Sequence, residues 1–157
     1  ALSLTERPGC LRLTGKDSPN SRFEQSLIAR RQEDFAFSFE TELDFDPSSE
    51  RQMAGILYFY DECDFYYLRV TCGQSGQKIL DVMRMNRGKT EYVPDCGIAV
   101  PEGRSIRLKL VVRRTEASCY YSLEEGVWQQ AGNTLDASLL SDEYPEEGAY
   151  TGAMVGL

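Results

Sequence analysis

From Phe35 the chain alternates for eleven positions, with Phe35, Phe37, Phe39, Thr41, Leu43 and Phe45 on one side and Ala36, Ser38, Glu40, Glu42 and Asp44 on the other. A period of two over that length predicts a long β-strand with one face in a core and one in water. Two further runs, Ala54–Tyr60 and Phe65–Cys72, flank the polar tetrad Asp61, Glu62, Cys63 and Asp64. That layout predicts a β-hairpin with a short loop. The first arm is apolar or aromatic at both parities, as a central strand is. In the second, Tyr66, Leu68, Val70 and Cys72 share one face and Phe65, Tyr67, Arg69 and Thr71 the other. The expectation is that this second face, too, is covered, by a ligand, another sheet or another domain.

Downstream, Lys78–Met85 predicts a strand and Asn86-Arg87-Gly88 a turn, while Pro94 confines Tyr92–Cys96 to an edge or a loop. Ile106, Leu108, Leu110 and Val112 alternate with Arg107, Lys109, Val111 and Arg113 in another strand, followed by strands at Ser118–Leu123, Val127–Gln130 and Tyr150–Leu157. Leu135–Ser141 is the one helical segment expected, capped by Thr134 or Asp136. Many short strands, close-set turn signals and almost no helix predict an all-β sandwich, and no internal repeat points to a propeller within the chain.

The 157 residues suit a single domain, 1–157. With 17 basic and 25 acidic residues the net charge is −8, and the basic residues do not gather beyond pairs such as Arg30-Arg31, so nucleic acid is not an expected partner. No apolar run approaches membrane-spanning length, and no basic-then-apolar leader pattern begins the chain, which opens on Ala1. Five cysteines without a C-x-x-C pair predict free thiols in a reducing compartment, hence a cytoplasmic chain. The absence of histidine excludes Ser-His and Cys-His catalysis and any histidine-dependent metal site.

Acidic residues gather in turns, at Asp61–Asp64, Glu124-Glu125, Asp142-Glu143 and Glu146-Glu147, and spacing alone opposes no two of them as glycoside hydrolysis requires. The Asp61–Asp64 and Asp44–Glu50 loops carry oxygen ligands suited to calcium but not the spacing of an EF-hand, so neither a cofactor nor a metal centre is expected. Nine tyrosines, seven phenylalanines and one tryptophan are compatible with sugar stacking. Phe65, Tyr67, Arg69 and Trp128 are the candidate carbohydrate-binding or interdomain face.

Several runs are similar to one family: Arg7-Pro-Gly-Cys-Leu-Arg-Leu13, Phe23-Glu-Gln-Ser-Leu-Ile-Ala-Arg-Arg-Gln32, Gln52-Met-Ala-Gly55, Phe65-Tyr-Tyr-Leu68, Leu135–Tyr144 and Tyr150-Thr-Gly-Ala-Met-Val-Gly-Leu157. Together they resemble the C-terminal concanavalin A-like β-sandwich of glycoside hydrolase family 43 β-xylosidases. The resemblance implies a two-sheet antiparallel jelly roll without catalytic residues of its own. It also implies a five-bladed propeller as partner, bearing the catalytic carboxylates, and a loop of the sandwich that closes the active-site rim against xylo-oligosaccharides. The rim aromatic falls on Tyr150, where phenylalanine is usual. Family members also continue into one more strand beyond Val-Gly-Leu, leaving a neighbouring strand expected to lack a partner here. Whether the parent is a homo-oligomer stays open. Two rivals follow: a free-standing lectin-like module with Phe65, Tyr67 and Trp128 as platforms, and a jelly-roll glucanase with Glu40 and Glu42 as its paired acids.

Overall fold

A computed structural model describes residues 2–94, 96–145 and 151–157. The strands are β1 (Leu2–Ser3), β2 (Arg12–Leu13), β3 (Ala29–Arg31), β4 (Ala36–Leu43), β5 (Met53–Phe59), β6 (Phe65–Cys72), β7 (Lys78–Asn86), β8 (Lys89–Tyr92), β9 (Ile98–Ala99), β10 (Ile106–Arg113), β11 (Glu116–Glu124), β12 (Val127–Gln130), β13 (Leu135–Asp136) and β14 (Met154–Gly156). The larger sheet runs β3-β14-β5-β6-β7-β8 with β9 beside β7. The smaller runs β12-β11-β10-β4 with β13 beside β11, and β1 and β2 pair by themselves. Every named strand pairing is antiparallel. This is the expected all-β sandwich.

The main core lies between the two sheets. Ile56, Tyr58, Tyr66, Leu68, Val70, Leu80 and Val82 meet Ile106, Leu108, Leu110, Val112, Cys119 and Tyr121. These are the in-facing positions of the period-two patterns, and Leu108 and Val112 are wholly shielded from solvent. Burial at this scale supplies the main driving force for folding, about 1.5–3 kcal/mol per large aliphatic side chain. Hydroxyls that enter this core find acceptors. Tyr58 donates to Gln32 Oε1 at 2.8 Å, Tyr66 to the Asp136 carbonyl at 3.0 Å and Tyr121 to Gln129 Oε1 at 2.9 Å.

The expected hairpin is β5–β6, in register from Met53↔Thr71 to Phe59↔Phe65. Gly55 belongs to it for a steric reason: a Cβ there would collide with the Leu68 carbonyl. The Asn86–Gly88 turn has Arg87 at φ 48° and Gly88 at φ 74°, two left-handed residues in succession, as a tight hairpin of that twist demands.

Three expectations are corrected. The alternation overran β4 at both ends: Phe35 precedes it and is 82% exposed, and Asp44 and Phe45 follow it. Leu135–Ser141 is not an α-helix. Leu135 and Asp136 pair with β11, and a 3₁₀ turn over Ala137–Leu140 follows, with the Asp136 side chain accepting from Ser138 N. The last strand, expected over Tyr150–Leu157, is Met154–Gly156 among the described residues.

Candidate functional site

Three regions outside the main core bear on function. The first is the outer side of the larger sheet. Phe65 and Tyr67 on β6 point there and join Leu57, Phe59, Met83 and Met85 in a second apolar cluster, with Leu27, Met53 and Met154 packed against it. Phe59 and Phe65 stack at 6.0 Å between ring centroids. Arg69, two residues on, grips Asp81 of β7 in a bidentate pair, Nε to Oδ1 at 2.7 Å and Nη2 to Oδ2 at 3.0 Å. Phe65, Tyr67 and Arg69 are only 1, 8 and 7% exposed, so their rings and stem are not an open stacking platform. Part of the cover comes from this chain: Leu27 packs on the cluster, and Arg22 reaches Glu62 of the hairpin loop at 2.6 Å.

The second region is the outer side of the smaller sheet. Trp128 sits here, on the opposite side of the molecule from the β6 residues, so the structure does not bring the four candidate residues together. Lys109 Nζ lies 3.8 Å from the Trp128 ring centroid and the Arg107 guanidinium 5.4 Å. Glu40 is ion-paired with Arg107, and Glu42 Oε1 accepts from the Ser105 hydroxyl at 2.7 Å. Both glutamates line a broad, open hollow with Glu124 and Glu125, and each has a neighbouring donor on its carboxylate.

The third region is the edge around Asp142 and Thr151. Tyr60 donates to Asp142 Oδ1 at 2.8 Å and Gly152 N donates to the same oxygen at 3.2 Å. Thr151 Oγ1 donates to the Tyr60 carbonyl at 3.3 Å. Burial, and then the Asp142 carboxylate, push the Tyr60 phenol above its ordinary value. On the other flank Tyr144 donates to Asn86 Oδ1 at 2.8 Å beneath the Arg87 guanidinium, 4.7 Å from the ring. The rim candidate Tyr150 lies outside the described residues.

Loop carboxylates considered for calcium accept hydrogen bonds from their own chain. Asp61 Oδ1 accepts from Cys63 N at 2.7 Å and Asp64 N at 2.9 Å, and burial still raises its carboxyl above the usual range. Asp64 Oδ1 accepts from Arg87 N at 2.9 Å. Asp46 accepts from Lys78 Nζ at 2.8 Å and Gly103 N at 3.2 Å, and the Lys78 hydrogen bond holds its carboxyl below the usual range.

One feature eluded the periodicity. Of the large apolar side chains left exposed among the described residues, six of eight lie between Leu2 and Phe35: Leu2, Leu4, Leu11, Phe23, Ile28 and Phe35. Phe23 is 91% exposed. The five before Phe35 follow no period of two because their segment is mostly irregular, so only their abundance in a loop-like stretch could have marked them.

A family model described as the β-xylosidase C-terminal concanavalin A-like domain matches residues 1–157. Xylosidase/arabinosidase 43B of Humicola insolens is 38% identical over 160 residues, covering 98% of this chain and 30% of that protein. A xylan 1,3-β-xylosidase of a Vibrio species is 36% identical over 158 residues, covering 99% of this chain and 29% of the relative. The crystal structure of xylan β-1,4-xylosidase from Bacillus halodurans C-125 superposes with a TM-score of 0.94 at 36% identity, covering 99% of this chain and 30% of that one. The chain thus spans about 30% of the length of the relatives it matches.

Proposed function

Because the chain belongs to the family of β-xylosidase C-terminal concanavalin A-like domains, we propose that it is the non-catalytic accessory β-sandwich of such an enzyme. On this reading it docks on the catalytic five-bladed propeller of the parent and completes the rim of the active site, with Tyr150 facing the xylo-oligosaccharide. A cytoplasmic setting is part of the proposal, resting on the odd number of cysteines.

The carrying observation is the concentration of exposed leucine, isoleucine and phenylalanine in residues 2–35. Scattered apolar residues are ordinary on a surface, but six of the eight large exposed ones among the described residues fall within residues 2–35, which favours cover by another body. The chain's share of its relatives, about 30%, leaves room in them for that body. The edge around Asp142 supports the rim role: it ties Tyr60, Thr151 and Gly152 together immediately after the segment that carries Tyr150. A sandwich acting this way contributes shape. It excludes water and restricts which end of a substrate enters, and no proton transfer is asked of it.

The test is complementation. The parent catalytic domain is assayed on xylobiose with and without this chain added in trans. Restored turnover with chain alone inactive is expected, and Asp142→Ala should raise KM more than it lowers kcat. Release of reducing sugar by the chain alone, abolished in Glu40→Gln or Glu42→Gln, would overturn the reading.

A further inference from the structure

Two cavities lie side by side on the outer face of the larger sheet. One, of about 430 Å³, is lined by residues of the N-terminal segment together with Phe45, Met53, Leu57 and Tyr67. The other, of about 520 Å³, is lined by Met53, Arg69, Asp81, Met83, Met85 and Tyr92 among others. Ser18, Pro19, Arg51 and Met53 line both, so the two share a wall.

Each cavity receives a polar side chain that is more than nine-tenths buried and not fully engaged. Of the five tyrosines buried among the described residues, Tyr58, Tyr60, Tyr66 and Tyr121 all donate their hydroxyls to oxygen acceptors. Tyr67 is the exception: its hydroxyl has no hydrogen-bond partner among the described residues. Every fully occluded side-chain nitrogen or oxygen there does have one, so this hydroxyl opens onto the cavity that Tyr67 lines. Arg69 uses Nε and Nη2 on Asp81, while Nη1 meets the Met53 thioether at 3.6 Å, a weak acceptor, with the Tyr92 phenol also beside the guanidinium. Tyr92, on the edge strand β8, holds one ring face 5.6 Å from that guanidinium and is 62% exposed.

The lining charges cancel. Lys16 and Arg51 stand against Asp17 and Asp46 in one cavity, and Arg51 and Arg69 against Glu50 and Asp81 in the other. A ligand that fits should therefore be uncharged, rich in oxygen to meet the Tyr67 and Arg69 donors, and apolar on its flat faces to meet Met53, Leu57 and Met83. Those are the properties of a pyranose. We propose that the paired cavities form a binding site for a short neutral oligosaccharide, with Tyr67 and Arg69 as hydrogen-bonding groups at adjacent sugar units and the free face of Tyr92 as the stacking wall. This site shares no lining residue with the rim at Asp142 or with Trp128.

The experiment is a ¹H–¹⁵N titration of the 157-residue chain with xylobiose and xylotriose. Saturable shifts are expected at residues 16–20, 51–53 and 90–92. Tyr67→Phe, which removes only the hydroxyl, should weaken binding by about fivefold, the worth of one hydrogen bond. Tyr92→Ala, at an exposed position that tolerates truncation, should weaken it as well, and Trp128→Ala should leave it unchanged. Absence of saturable shifts in the folded wild-type chain would overturn the proposal. So would binding that survives Tyr67→Phe and Tyr92→Ala together, or that is lost in Trp128→Ala.

Discussion

The two sheets turn very different outer faces to their surroundings. On the smaller, β10 presents Arg107, Lys109 and Arg113 between Glu40 of β4 and Trp128 of β12, all reached by water. On the larger, β6 presents Phe65, Tyr67 and Arg69, each buried. Both strands alternate with a period of two, and both make good inner faces to the core. The difference lies in what fills the second parity: charged groups that keep their hydration, or rings and a single arginine that cannot. An outer face of the second kind has to be covered, and here residues of the N-terminal segment reach over part of it.

The contrast can be broken most sharply at the two cross-strand ion pairs. Arg69–Asp81 has side chains 8 and 14% exposed, and Arg107–Glu40 has 40 and 37%. Asp81→Ala strands a buried guanidinium and should cost about 3–5 kcal/mol of unfolding free energy, whereas Glu40→Ala should cost about 0–1 kcal/mol. Urea titrations of the two variants check this, and equal costs would erase the distinction between the faces.

A comparable gap is expected for the aromatics. Phe65→Ala, within the covered cluster, should lose about 3–5 kcal/mol. Trp128→Ala, whose ring is held mainly by Lys109 and Arg107, should lose about 1 kcal/mol.

Titration gives smaller effects. Asp46 is held below the usual carboxylate range by Lys78, so the stability it adds is present above its unfolded value and is lost as pH falls through the depressed one. Lys78→Met should remove that part of the acid dependence. At the other end, burial raises Tyr58, Tyr66 and Cys119 to about 12. Their contribution is complete below the unfolded values and declines as pH rises toward about 12, so alkaline unfolding should accompany tyrosine ionisation in ultraviolet difference spectra.

Much of this architecture was legible in the residues. The alternations at Phe37–Leu43 and Ile106–Val112, the hairpin around Asp61–Asp64 and the Asn86–Gly88 turn each follow from local chemistry, and each stands where expected. What escaped depended on distant parts of the chain. Phe35 continues the pattern of β4 yet faces solvent, because periodicity cannot say where pairing with β10 stops. Lys78 reads as an exposed strand end but is 3% exposed, held by Asp46 and the Arg104 carbonyl from two other loops. The candidate face mixed residues of both sheets, since parity orders side chains within a strand but does not relate one sheet to the other. The exposed apolar side chains of residues 2–28 lacked any period to reveal them.

Those side chains also carry the central claim, that this sandwich is one part of a larger enzyme and meets the rest through its N-terminal segment. Sedimentation velocity of the chain mixed with the parent catalytic domain tests it directly. A stable one-to-one complex is predicted for the wild type, with self-association of the chain alone relieved by the partner, and the complex should be lost in the Phe23→Asp, Phe35→Asp double variant. An indifferent monomer with and without the catalytic domain, or a complex unaffected by both substitutions, would contradict it.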